Sequence, residues 1–221
     1  MTAKFDHAII LHIENYCGIH TLLDLEQITS QISICTLCNL SRNRNKTVPG
    51  EGSNTPNILF IGEAPGFHED QQGRPFIGRA GKLLEELLLS IGLKRSDVFI
   101  TNMVKCRPTN NRDPLPIEIE ACRPFLEDQI KLLNPKVIVT LGRYSLSKFF
   151  PTETIGKARG KPKEWRGRII FPIYHPAAAL HQSRLKAVLI EDFNKLADLV
   201  KQQELNIAKT DDSNPQQLSM F

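Results

Sequence analysis

A chain of 221 residues with 41% hydrophobic content can bury one substantial core without disulfide staples, so one globular domain with decorated ends is expected. No apolar run approaches a membrane span, and the opening MTAKFDHAIILHIENY is interrupted by Asp6, His7, His12 and Glu14; neither a secretory leader nor an anchor is expected, and the cytoplasm is the expected compartment. The formal charge of +4 leans toward a polyanionic partner, although many ordinary enzymes are as basic, and five cysteines without a secretory signal read as thiolates for a metal rather than as disulfides.

In chain order, residues 1–20 read as a separate apolar, helix-like extension to which no role attaches, and residues 21–206 as the folded domain. Cys35 and Cys38 form a C-x2-C pair, followed by the cations Arg42, Arg44 and Lys46. The runs NILFIG (57–62), DVFITN (97–102), KVIVTLG (136–142) and RIIFPIYH (168–175) are short, β-branched and apolar on both faces, the pattern of buried parallel strands. Between them, GKLLEELLLSIG puts Leu83, Leu84, Leu87, Leu88 and Ile91 on one helical stripe, and PLPIEIEACRPFLEDQIKLL opens on prolines suited to a first turn. RLKAVLIEDFNKLADLVKQQ is the closing helix, ending near Asn206, and residues 207–221, IAKTDDSNPQQLSMF, read as a flexible polar tail. The alternation predicts a three-layer α/β sandwich around a four-stranded parallel sheet. Ligands of such open sheets sit beyond the carboxyl ends of the strands, so Gly62 to Gly66, Thr101 to Lys105, Gly142 and Tyr174 to Ala177 are expected to converge.

The glycine-rich stretch GEAPGFHEDQQGRPFIGRAGKLL suggests a phosphate cradle at first sight. A dinucleotide fingerprint, however, needs G-x-G-x-x-G against the strand, where this chain has Glu63, Ala64 and Pro65 after Gly62; a P-loop needs a hydroxyl after its Gly-Lys, where AGKLL has none. The stretch offers two carboxylates, Glu63 and Glu69, and the aromatic Phe76, which suit a flat, neutral, hydrogen-bonding ligand such as a nucleobase. Taken alone, Asn102 reads as a turn cap, and His175 and the histidines at 7, 12, 20, 68 and 181 as structural side chains. Four cysteines, Cys35, Cys38, Cys106 and Cys122, have the number and spacing for zinc or for an iron-sulfur cluster, and spacing does not separate the two. Cys17 falls outside the pattern and reads as a free thiol.

GEAPGFHEDQQGRPFIGRAGKLL, TNMVKCRPTNNR, YHPAAAL and the cysteines of ICTLCNLSRNRNKTVPGEG, in this order, resemble the family 4 uracil-DNA glycosylases, over roughly residues 21–206. The resemblance implies the uracil-DNA glycosylase fold and a monomeric enzyme of base excision repair that releases uracil from single- and double-stranded DNA. It implies that Asn102 reads the uracil edge, rejecting cytosine, that His175 donates to uracil O2 as charge develops, and that Phe76 stacks on the flipped base beside Gly62 and Ala64. Glu63 is expected to position the attacking water, with Glu69 a second carboxylate near the site. The better-studied relatives carry a water-activating aspartate and a thymine-excluding tyrosine where this chain has Ala64 and Gly66, which leaves thymine exclusion without an assigned residue.

Further implications of the resemblance concern cofactor and partners. Cys35, Cys38, Cys106 and Cys122 match the ligands of a [4Fe-4S] cluster. The run KARGKPKEWRGR (157–168), with Lys161 and Lys163, and the cations Arg42, Arg44 and Lys46 are expected at DNA together with Arg184, and Leu180 is expected to fill the gap left by the extruded base. A related class that is trapped covalently on its product carries a histidine-bearing insertion after the asparagine motif; residues 103–122 contain no histidine. The final QLSMF resembles the pentapeptide by which bacterial repair proteins dock on the DNA sliding clamp, with Gln217 hydrogen-bonding and Leu218, Met220 and Phe221 filling an apolar groove.

Overall fold

The β-branched apolar runs form strands buried on both faces, and this dictates a sheet with helices on each side. The structure, a computed structural model, describes residues 24–212, with side chains described to residue 203. The elements are α1 (Leu25–Ile34), β1 (Glu51–Gly52), β2 (Ile58–Gly62), α2 (Phe67–Gln72), α3 (Arg79–Ser90), β3 (Phe99–Asn102), α4 (Pro116–Leu133), β4 (Val137–Leu141), α5 (Arg143–Phe149), α6 (Ile155–Ala158), β5 (Lys163–Trp165), β6 (Arg168–Ile173), α7 (Pro176–His181) and α8 (Arg184–Asp212). The sheet order is β1-β3-β2-β4-β6-β5. The four strands expected from sequence are the central parallel ones, and two short antiparallel strands, β1 and β5, extend the edges. Their two and three residues carry too little apolar periodicity to register as strands in the sequence.

One face of the sheet is covered by α3 and α8. Leu83, Leu84, Leu87 and Leu88 meet Phe60, Ile100 and Val139, as do Leu189, Phe193 and Leu196. The Phe193 ring stacks on Phe60 with centroids 6.1 Å apart and planes at 14°. The opposite face packs Leu59, Ile61 and Ile138 against Leu126, Ile130 and Leu133 of α4 and Phe149 of α5. The last helix continues to Asp212, six residues beyond the boundary read at 206. Among the described residues no helix is long and apolar enough to cross a membrane. The apolar extension 1–20, Cys17 and the terminal Gln217, Leu218, Met220 and Phe221 lie outside the described residues.

Candidate active site

The four strand ends converge as the parallel topology requires. Met103 and Val104 donate their amides to the carbonyls of Gly62 and Glu63 at 3.0 and 3.2 Å, and the Gly142 amide reaches Ile173 O at 2.9 Å. The crowding is tight enough to demand glycine. A Cβ on Gly62 would stand 2.3 Å from Asn102 Oδ1 and 2.6 Å from the Phe76 ring, and one on Gly142 would stand 3.1 Å from His175 Cβ.

Asn102 ends β3 at 1% exposure, and its Oδ1 is buried without a hydrogen-bond partner. Leaving such an acceptor unpaired costs about 1–3 kcal/mol, a penalty a ligand donor would remove. His175 precedes α7 as its N-cap, and its Nδ1 accepts the Ala177 amide at 3.1 Å. The neutral ring therefore carries its proton on Nε2, as a donor. Burial pushes the imidazole down to about 4, against a smaller opposing pull from Glu69, so the ring is neutral at pH 7.

Phe76 faces His175 with ring centroids 5.5 Å apart and planes at 30°. Its backbone lies in the left-handed region at φ 51°, strained for an aromatic residue. Three devices hold it there. Glu69 Oε1 accepts the amides of Ile77 and Gly78 at 3.0 and 2.8 Å, which commits this oxygen to shaping the loop. Arg95, paired with Glu51, donates to the carbonyls of Phe76 and Pro75 at 2.9 and 2.7 Å. Gly81 leaves room for the Phe76 carbonyl, which a Cβ would approach to 1.8 Å.

Glu63 follows β2 at the mouth of the site. Burial, then the nearby Asp113 charge, pushes its carboxyl up to about 7, with Arg143 opposing. Asp113 itself accepts from Arg143 at 2.8 Å and from the Tyr144 hydroxyl. Asp113, Arg143 and Tyr144 were not singled out from sequence, because a surface acid and the first turn of a short helix carry no local signal. The fixed partners of Glu69 and the raised pKa of Glu63 divide the two carboxylates into a loop former and a titratable group. Ala64 lies in the same loop, half-buried against the cysteine region.

The cysteines lie on one side of this pocket. Cys35, Cys38, Cys106 and Cys122 line a single small cavity with Arg44 and Phe125, although among the described residues no group of three or more His, Cys, Asp or Glu is drawn together as ligands of a metal ion. Burial raises the Cys106 thiol and pushes Cys122 up to about 11, so both carry their protons. Arg44, expected from sequence to face DNA, instead turns inward, with Nη1 3.2 Å from Cys106 Sγ and 2.7 Å from the Cys35 carbonyl. The Lys105 amide donates to Cys122 Sγ at 3.3 Å. The donor set fits a thiolate-bound cluster: four cysteines around one enclosure, with N–H groups already aimed at two of the sulfurs.

The basic positions sort by their partners. Lys161 and Arg184 are exposed, whereas the Lys163 ammonium is committed to Glu153 over the Phe150 ring. Leu180 is half-buried against the core on α7, four residues before solvent-facing Arg184 at the start of α8. Phe67, exposed at the start of α2 beneath the Arg107 guanidinium at 5.1 Å, adds an aromatic surface near the site that sequence reasoning did not single out.

Residues 49–197 match the model of the uracil DNA glycosylase superfamily. Similar curated proteins include three named type-4 uracil-DNA glycosylases. That of Sulfurisphaera tokodaii is 49% identical, covering 79% of this chain and 84% of the relative. That of Saccharolobus solfataricus is 47% identical, over 83% and 90%. That of Thermotoga maritima is 44% identical, over 81% and 96%.

Proposed function

This chain belongs to the uracil DNA glycosylase superfamily, and on that premise we propose that it hydrolyses the N-glycosidic bond of deoxyuridine in DNA, releasing uracil and leaving an abasic site for base excision repair. The observation that carries this reading is the buried, unpartnered Oδ1 of Asn102 beside a neutral His175 whose Nε2–H is free to donate. Uracil presents N3–H and O4 side by side, so one carboxamide accepts from the first and donates to the second; cytosine offers a lone pair and an amine and leaves both mismatched. As the glycosidic bond stretches, negative charge grows on the base, and His175 Nε2–H stabilises it at O2 without first having to lose a proton. Phe76 supplies the stacking wall, and Glu63, when ionised, holds the water that captures the sugar cation. Lys105, the lysine nearest Asn102 in sequence, is buried with all its donors satisfied, which supports hydrolysis without a lyase step.

The cysteine pocket supports a [4Fe-4S] cluster held by Cys35, Cys38, Cys106 and Cys122. Such a cluster, when bound, supplies a rigid cross-link between the segment before β1 and the start of α4 rather than chemistry on the base. The enzyme is read as a cytoplasmic monomer that meets DNA through Lys161, Arg184 and the α7 end bearing Leu180. Gln217, Leu218, Met220 and Phe221 form the clamp-docking motif of this reading, which rests on their sequence pattern.

The deciding experiment incubates the protein with uracil-containing and cytosine-containing oligonucleotides and then with alkali. Cleavage at uracil alone is expected; binding without an abasic product would overturn the enzymatic reading. Iron analysis should give about four irons per chain with brown absorbance, and stoichiometric zinc without colour would replace the cluster. A truncation ending at Gln216 should lose clamp binding and keep excision, whereas equal clamp binding by both forms would remove the docking role.

A further inference from the structure

Lys105 is buried at 1% exposure, yet nothing in base excision as described above uses its side chain. Burying a lysine amino group is costly unless its hydrogen bonds are made, and here three acceptors surround it. Nζ lies 2.6 Å from Thr101 Oγ1, 2.9 Å from the Asn102 carbonyl and 2.7 Å from Gln129 Oε1. The partners belong to different elements. Thr101 and Asn102 end β3, and Gln129 sits on α4 two turns after Cys122, whose sulfur accepts the Lys105 amide. Thr101 Oγ1 and Gln129 Nε2 also share the Pro49 carbonyl, at 2.7 and 2.9 Å.

The sheet leaves a gap that this side chain fills. Strand β1 covers the outer edge of β3 only at Phe99 and Ile100, so two residues further on the same edge has no strand partner. Asn102 cannot be steadied through its own carboxamide, whose Oδ1 is unpaired in the free protein. Its aim depends on the backbone that carries it, paired to β2 and held at its carbonyl by Lys105 Nζ.

We propose that Lys105 is a positioning residue for uracil recognition, fixing the backbone of Asn102 from behind and tying that strand end to the cysteine-bearing helix α4. The proposal rests on the reading of Asn102 as the uracil-reading group. Through Lys105, the spacing between β3 and the Cys122 face of α4 sets the orientation of the carboxamide that meets the base.

The test compares wild-type holoenzyme with Lys105→Met and, as a milder perturbation that keeps the lysine, Gln129→Met. Measured for each are iron content, thermal midpoint, kcat and KM on uracil-containing DNA, and inhibition by free uracil, which reports base recognition without chemistry. In Lys105→Met, kcat per iron-loaded, folded protein should fall about tenfold or more with KM for DNA within about threefold, and inhibition by free uracil should weaken in parallel. Gln129→Met should shift both quantities the same way by less. Unchanged kcat and uracil inhibition in folded, iron-loaded Lys105→Met, or losses that merely follow iron content, would overturn the proposal. Should Lys105→Met fail to fold, Gln129→Met with wild-type uracil inhibition would overturn it equally. A wild-type protein that excises no uracil would instead overturn the functional reading itself.

Discussion

Replacing His175 by Asn should change how stability depends on pH, in a direction set by the buried imidazole. The folded pKa of about 4 lies below the unfolded value of 6.5. Between these values the unfolded chain binds a proton that the native protein refuses, so stability is full above pH 6.5 and is lost as pH falls toward 4. Between pH 7 and pH 5 the linkage amounts to about 2 kcal/mol, which the half-buried position of the residue as a whole reduces to about 1 kcal/mol. Urea unfolding of both proteins at the two pH values isolates this contribution, because every other titrating group is shared. The wild type should lose about 1 kcal/mol more than His175→Asn over that interval. Equal losses would mean that His175 titrates as it does in the open chain, and the argument for a neutral donor fixed in the pocket would fail. Excision should also drop by about a hundredfold or more in the variant at every pH, as removal of a donor to a developing anion does.

Three other perturbations test the rest of the pocket. Asn102→Ala should lose uracil excision by about a hundredfold or more while its stability stays within about 1 kcal/mol of wild type, since the Oδ1 it deletes is unpaired in the free protein; a large loss of stability would show that the carboxamide is structural. Glu63 must be ionised to hold water, so kcat should rise with pH through about 7, Asp113→Asn should move that midpoint down by removing the charge that helps raise it, and Glu63→Gln should abolish the transition; a midpoint indifferent to Asp113 would exclude Glu63 as the titrating group. Gly62→Ala places a Cβ 2.3 Å from Asn102 Oδ1 and should remove activity with the fold retained, visible as normal circular dichroism beside a loss of excision of about a hundredfold.

What could be read from sequence was whatever repeats locally. The four central strands announced themselves because each is apolar on both faces, and α3 because its leucines recur at helical spacing. The convergence of Gly62, Asn102 and His175 followed from parallel topology alone. The pieces that escaped are those whose role comes from distant partners. Arg95 reads as a surface cation after a helix until its contacts to the Phe76 and Pro75 carbonyls are seen, and Lys105 reads as one more basic residue beside a cysteine. Arg44 was placed toward DNA because a cluster of cations after a cysteine pair looks solvent-facing, whereas its guanidinium is drawn toward the cysteine sulfur and carbonyls. Glu69 illustrates the converse: a carboxylate expected near the chemistry has its Oε1 engaged by backbone amides.

The stacking of Phe193 on Phe60 joins segments that leave the ribosome at very different times. Strand β2 is synthesised about 130 residues before α8, and at ordinary rates of translation roughly 6 to 26 s separate them. For most of that interval the α8-facing side of the sheet has α3 to cover it, with α7 joining just before α8. Residues 35 to 122, holding all four cysteines of the pocket, emerge well before α8, and His175 emerges only shortly before it. The order of synthesis therefore allows the cysteine side to organise first and brings the base pocket together last, when the chain has grown long enough to shield its own core.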